Sequence, residues 1–175
     1  MIRALQLIIS VLAIGVSAQI LININSFYPI PITAQSLFVL LIAHHFQWKW
    51  GSIFIAAYLL ASLLGAPLLS NFKGGWAAFT GPSLGYLLGF LLATLLVGKM
   101  AETQEERFAK YLQQFFLGGL VILLAGYVGM LRYFDFKIAF YKAVLPFIPG
   151  LFAKTLLGAI LLFTYSRFKS FMKAL

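Results

Sequence analysis

The sequence predicts an all-α integral membrane protein with six transmembrane helices, on three observations. The chain is 62% hydrophobic and only 10% charged, with a mean hydropathy of +0.98. Soluble domains hold roughly 45–50% apolar and about 25% charged residues, so these charges are too few to coat a water-facing domain of any size. Second, the apolar residues fall into six runs near the ~20-residue length that crosses a bilayer. Third, stretches such as Leu87 to Ala93 are continuously apolar, whereas barrel strands alternate over ~10-residue units. Residues 1–175 read as a single membrane domain.

The predicted helices cover about 4–24, 30–46, 50–65, 82–99, 111–131 and 146–166. The first is long enough to span and is read as retained. Its Ser17-Ala18-Gln19 is a weak match to a signal-peptide cleavage site. Lys49 breaks the second run from the third. The fourth opens at Gly81-Pro82-Ser83, with Pro82 expected at the first helical position and Gly81 or Thr80 as its cap. The fifth follows the charged segment Lys99–Lys110, and the sixth follows Pro146 and Pro149.

Basic residues orient the helices. With a cytoplasmic N-terminus, Arg3, Lys49, Lys99, Arg107, Lys110, Arg167, Lys169 and Lys173 lie inside. Lys73, Arg132, Lys137 and Lys142 lie outside. Eight against four places both termini of this multi-pass chain in the cytoplasm. The net charge of +9 is thus explained by helix flanks facing a lipid bilayer, and no aromatic-interleaved basic stripe speaks for nucleic acid. The outer connections 25–33, 66–81 and 132–149 concentrate Pro, Gly, Asn and aromatics. Irregular backbone at membrane depth lines a cavity or is buried by protein, so an outward-opening ligand pocket is expected.

Several chemistries are excluded or weakened. There is no cysteine, which removes disulfides and thiolate metal sites. Gly98-Lys99-Met100 lacks the hydroxyl of a phosphate-binding P-loop, and no acid lies inside a predicted span, so the chain does not power itself. Gly81-Pro82-Ser83-Leu84-Gly85 matches G-x-S-x-G, the basis of an intramembrane serine hydrolase reading. The motif needs a preceding strand and a nearby base, yet His44 and His45 are expected across ~30 Å of hydrocarbon. Those adjacent histidines diverge by about 100° on a helix and make a poor metal site. Lys154 is more informative. A cation inside a span faces a cavity or partner, or snorkels to the surface. With no acid in its helix, a ligand carboxylate is a fitting counter-ion. Ala13 and Ser17 form a small-x-x-x-small pair for close helix contact, within the chain or with another protein.

Three segments together resemble the BioY family, the biotin-specific substrate-binding (S) component of energy-coupling factor (ECF) transporters. They are Pro29-Ile30-Pro31-Ile32-Thr33-Ala34-Gln35, Gly74-Gly75 through Gly81-Pro82-Ser83-Leu84-Gly85-Tyr86, and Leu145-Pro146-Phe147-Ile148-Pro149-Gly150 followed by Lys154. The resemblance implies an S-component fold with both termini cytoplasmic, biotin as the captured and transported ligand rather than a cofactor, and no catalytic residues. It also implies docking on a transmembrane coupling subunit that carries two ATPase subunits. By the same resemblance Asn71 contacts the ligand, Gly74 and Gly75 form the tight loop beside it, Lys154 lies near the ligand, and Thr33 and Gln35 belong to a lid-like first loop. Trp76 and Tyr86 are expected as apolar walls, and helix one, with Ala13 and Ser17, as the docking surface. Two departures stand out. Leu151 occupies the position of an Asp three residues before the lysine, and Pro82-Ser83-Leu84-Gly85-Tyr86 replaces P-T-G-G-Y. The missing Asp leaves open an S component for a different vitamin or a biotin precursor.

Overall fold

A computed structural model describes residues 1–22, 30–103 and 105–174. Its helices are α1 (Ile2–Gln19), α2 (Gln35–Leu63), α3 (Trp76–Thr80), α4 (Leu84–Met100), α5 (Phe108–Met130), α6 (Phe136–Ala143) and α7 (Ile148–Ala174). Two short strands, β1 (Leu21–Ile22) and β2 (Ile32–Thr33), pair antiparallel, Leu21 opposite Thr33. They correct the expected boundaries. The first helix stops at Gln19 rather than running to about 24, and the second starts at Gln35, because the flanking residues hydrogen-bond to each other as strands. Much of the expected first loop, from Asn25 to Pro29, lies outside the described residues.

The segment α2 is a hairpin rather than one rod. Its helical backbone is interrupted at Gln47, with φ 58° and ψ −174°. The amide Nε2 of Gln35 donates to the Tyr58 hydroxyl at 2.7 Å. In a continuous helix those residues would lie ~34 Å apart. Phe46 and Phe54 stack edge-to-face at 4.8 Å, and a Cβ on Gly51 would lie 3.4 Å from the Ala43 Cα. The arms 35–46 and 48–63 therefore run antiparallel about a one-residue turn, and the two expected helices are present. Ile2–Gln19, Leu84–Thr103, Phe108–Met130 and Phe136–Lys173 are long and apolar enough to cross a membrane. Each arm of α2 is shorter than the ~17 residues at the low end for a span.

Glycines bring α4 and α5 into close contact. A Cβ on Gly85 would collide with the Ala125 carbonyl, and one on Gly89 would come within 3.0 Å of the Ile122 Cα. Small residues let α4 and α5 approach backbone to backbone, the packing device available where lipid removes the hydrophobic drive. Three buried hydroxyls close on their own helices. Ser17 donates to the Ile14 carbonyl at 2.7 Å, Ser62 to Tyr58 at 2.8 Å and Thr94 to Phe90 at 2.7 Å, so these polar groups are satisfied away from water.

The bundle has two chemically different ends. At one, the Arg3 guanidinium sits 4.8 Å over the Trp50 ring, and Trp48 Nε1 donates to Glu102 Oε1 at 2.7 Å. His44 contacts Tyr111 edge-on at 5.4 Å, and Phe108 meets Phe163 at 5.7 Å. This end thus gathers the start of α1, the α2 turn, the end of α4, the start of α5 and the second half of α7. The opposite end carries the loops. There the stretch 132–149, expected as an irregular loop, contains α6. Asp135 caps it by accepting from the Ile138 amide at 2.9 Å, while Ala139 and Ala143, one turn apart, are buried.

Candidate functional site

The loop end holds a cavity of about 760 Å³, within the range of roughly 300–1,000 Å³ typical of small-molecule sites. Its floor is apolar. Leu40 comes from α2, Leu87 and Phe90 from α4, Phe115, Ile122 and Leu123 from α5, and Leu151 from α7. Its rim is polar, with Thr33, Gln35, Ser36, Ser70, Asn71, Lys73, Ser83 and Lys154. Among the described residues this lining includes two lysines and no carboxylate. An apolar body with an anionic end is the ligand shape that such a chamber accommodates.

Lys154 lies on the second turn of α7, mostly buried, and its Nζ donates to Ser36 Oγ at 2.9 Å. That bond joins the last long helix to the first turn of α2 and holds the ammonium at the cavity rather than at the surface. Ser36 was missed by sequence reasoning. Its one available signal was a polar side chain beside Gln35 at the head of an apolar run. Gln35 is 5% exposed and is held by Tyr58, whose hydroxyl donates to the Leu68 carbonyl at 3.1 Å. Tyr86 is buried. Its hydroxyl donates to the Ala143 carbonyl at 2.6 Å, and its ring lies 5.4 Å from Phe147 in the space left by Gly126, where a Cβ would overlap the tyrosine ring. Leu151 likewise occupies the space left by Gly119.

The loop after α2 folds tightly. Leu69 and Lys73 pair, the Leu69 amide donating to the Lys73 carbonyl at 3.0 Å. Asn71 between them takes left-handed φ 58° and ψ 36° and faces the cavity. Gly74 also lines it and packs so close to the Ala66 carbonyl that a side chain would collide.

Three expectations are corrected. Gly75 does not line the cavity. It has φ +81° and starts α3, and its amide donates to the Ser62 carbonyl at 2.7 Å, a backbone role in the turn. Trp76 is not a cavity wall, because α3 turns its side chain outward to 71% exposure. Ser17 is not part of a docking surface. It is buried, as is Ala18, while Ala13 is half-buried. The small face of α1 packs inside the chain, where Gly15 accommodates Leu68.

Ser83 is the residue before α4, two positions after Gly81 and three after Thr80, the expected caps. It lines the cavity but donates its hydroxyl to the Ala78 carbonyl at 3.1 Å. His44 Nδ1 is 2.8 Å from Gln114 Oε1, at the other end of the bundle. No histidine therefore stands near Ser83 to act as its base.

A family model described as the BioY family matches residues 2–170. The chain is 36% identical over 121 residues to the biotin transporter BioY of Thermotoga maritima, covering 69% of this chain and 71% of that one. It is 34% identical over 145 residues to the biotin transporter BioY of Rhizobium etli, covering 77% of each. Its fold matches the crystal structure of the S-component for biotin from an ECF-type ABC transporter with a TM-score of 0.82. That match has 23% identity and covers 94% of this chain and 90% of the other. With nearly its whole length matched by the family model and relatives above 30% identity, the chain belongs to the BioY family.

Proposed function

We propose that the chain is the substrate-binding membrane subunit of a biotin uptake transporter of the ECF type, capturing biotin at the outer face and relying on partner ATPases for energy. The observation that carries this reading is the largely buried ammonium of Lys154 at the polar rim of a chamber whose floor is apolar. A charge in that setting is costly without a partner. The biotin carboxylate supplies one, while the fused ring and valeryl chain fill the floor beside Phe90, Phe115 and Tyr86. Asn71, presented by its left-handed loop, hydrogen-bonds the ureido group. Thr33, Gln35 and Ser36 complete the rim beside β2 and the start of α2.

Both termini are assigned to the cytoplasm on the eight-to-four distribution of basic residues, which puts the cavity outside. The partners are a transmembrane coupling subunit and two ATPases, which turn the loaded chain so that its site opens inward. A cysteine-free chain allows a direct test of orientation. Single cysteines at Lys73 and Lys173 are probed with an impermeant thiol reagent on intact cells. Labelling at 73 alone is expected, and labelling at 173 alone overturns the assignment. In proteoliposomes, biotin accumulation is expected only with the coupling subunit and ATPases present. ATP-driven accumulation by the chain alone contradicts the subunit reading.

One observation favours a second reading. Leu151 brings a hydrocarbon side chain to the cavity where the family resemblance implies an Asp, removing an acceptor for a polar ring. A biotin precursor or another vitamin with a less polar head fits that change. Dethiobiotin binding more tightly than biotin would select it.

A further inference from the structure

Gln19 is the last residue of α1, and its side-chain amide makes three hydrogen bonds. Nε2 donates to the Gly15 carbonyl at 3.1 Å and to the Leu69 carbonyl at 3.0 Å. Oε1 accepts from the Phe72 amide at 3.1 Å. The last two partners bracket Asn71. Within that bracket Asn71 has φ 58° and Phe72 has φ 54°. Asparagine tolerates the left-handed region, but a bulky residue such as Phe seldom does. Two such residues in succession persist where the surroundings over-determine them. The loop's own ties are the Leu69–Lys73 pair and one long bond, from the Lys73 amide to the Ser70 carbonyl at 3.4 Å. Two further bonds come from outside the loop, both through one glutamine.

A second contact of the same helix acts in the same direction. Gly15, one turn before Gln19, receives Leu68; a Cβ there would lie 2.7 Å from Leu68 Cδ2. The Leu68 carbonyl in turn accepts from Tyr58, which orients Gln35. One face of α1 therefore touches the loop that carries Asn71 directly and reaches Gln35 through Leu68 and Tyr58.

We propose that Gln19, which lies outside the cavity, is a positioning residue for the ligand site: it holds Asn71 in its ligand-facing conformation and ties that conformation to the placement of α1. The inference rests on the proposed function, because Asn71 acts on biotin in that reading. Any displacement of α1 against the bundle then pulls on the Leu69 carbonyl and the Phe72 amide together and moves Asn71 with them.

The test is a double-mutant cycle in the purified full chain, with biotin affinity and Phe72 amide exchange as readouts. Gln19→Met keeps the length and removes all three bonds, while Gln19→Glu keeps an acceptor for the Phe72 amide and loses both donors. Gln19→Met is expected to weaken biotin at least about tenfold, as loss of more than one hydrogen bond implies. Gln19→Glu is expected to fall between it and the unsubstituted chain. In an Asn71→Ala background the Gln19→Met effect is expected to shrink below about twofold, because residues acting through one another are not additive. The Phe72 amide is expected to exchange at least about tenfold faster in Gln19→Met. Unchanged affinity, or an equal loss in both backgrounds, overturns the proposal, the latter assigning Gln19 a general structural role. Failure of the unsubstituted chain to bind biotin sinks the proposed function instead. The Phe72 exchange rate then decides whether Gln19 holds the loop. Should Gln19→Met not fold, Gln19→Glu in both Asn71 backgrounds gives the same cycle.

Discussion

Replacing Gln47 by Gly should stabilise the protein. Gln47 sits at φ 58° and ψ −174°, a region reserved in practice for glycine, where another residue costs about 1–3 kcal/mol. Glycine removes that strain but adds about 0.5–1 kcal/mol of unfolded-state freedom. The net gain is therefore between about 0 and about 2.5 kcal/mol. Gln47→Ala keeps the Cβ that causes the strain and should leave stability within about 0.5 kcal/mol, separating backbone from side chain. The turn has no slack for a compensating change beneath it. A Cβ on Gly98 would run into the Trp48 amide and Cα, so Gly98→Ala should destabilise. Reversible unfolding of the three variants in mixed detergent micelles measures all of this. Gln47→Gly no more stable than Gln47→Ala would refute the one-residue hairpin turn and the strain assigned to it.

Trp76→Ala should change biotin affinity by less than about twofold, since the side chain points away from the cavity at 71% exposure; calorimetry on the purified variant checks it, and a large loss would return Trp76 to the site. Tyr86→Phe leaves the buried Ala143 carbonyl without its 2.6 Å donor and should cost about 1–3 kcal/mol of stability. Its ring still lines the cavity, so ligand affinity should hold within about threefold, which unfolding and binding measurements on one preparation separate.

The helix inventory was legible because hydrocarbon spans leave long apolar runs, and α4 and α5 appear within about three residues of their predicted ends. The α2 turn was legible only as a break. Lys49 marked it, but no residue in Phe46-Gln47-Trp48 has turn chemistry, and the fold imposes a glycine-like backbone on a glutamine. The short helix α6 was missed because eight residues rich in lysine and aromatics read as a loop. Asp135, three residues before Ile138, was the available capping signal. At the site, the polar residues at the heads of apolar runs stood out, and Thr33, Gln35, Asn71, Gly74 and Lys154 do line one cavity with Tyr86. The floor was invisible, because Phe115 or Ile122 looks the same in a core as in a ligand chamber. Trp76 and Ser17 were misplaced for a related reason. An aromatic in a loop and a small residue on a helix carry no record of which way they face.

Biotin binding to the purified chain, measured by calorimetry beside biotin amide and the Lys154→Gln variant, tests the central claim most directly. Loss of one charge-assisted hydrogen bond is worth about 1.5–3 kcal/mol, or about 10- to 150-fold. The account predicts tight binding of biotin, a loss in that range for the amide and for Lys154→Gln taken separately, and little further loss when the two are combined. Equal affinity for biotin and its amide, or no biotin binding at tens of micromolar, would contradict it.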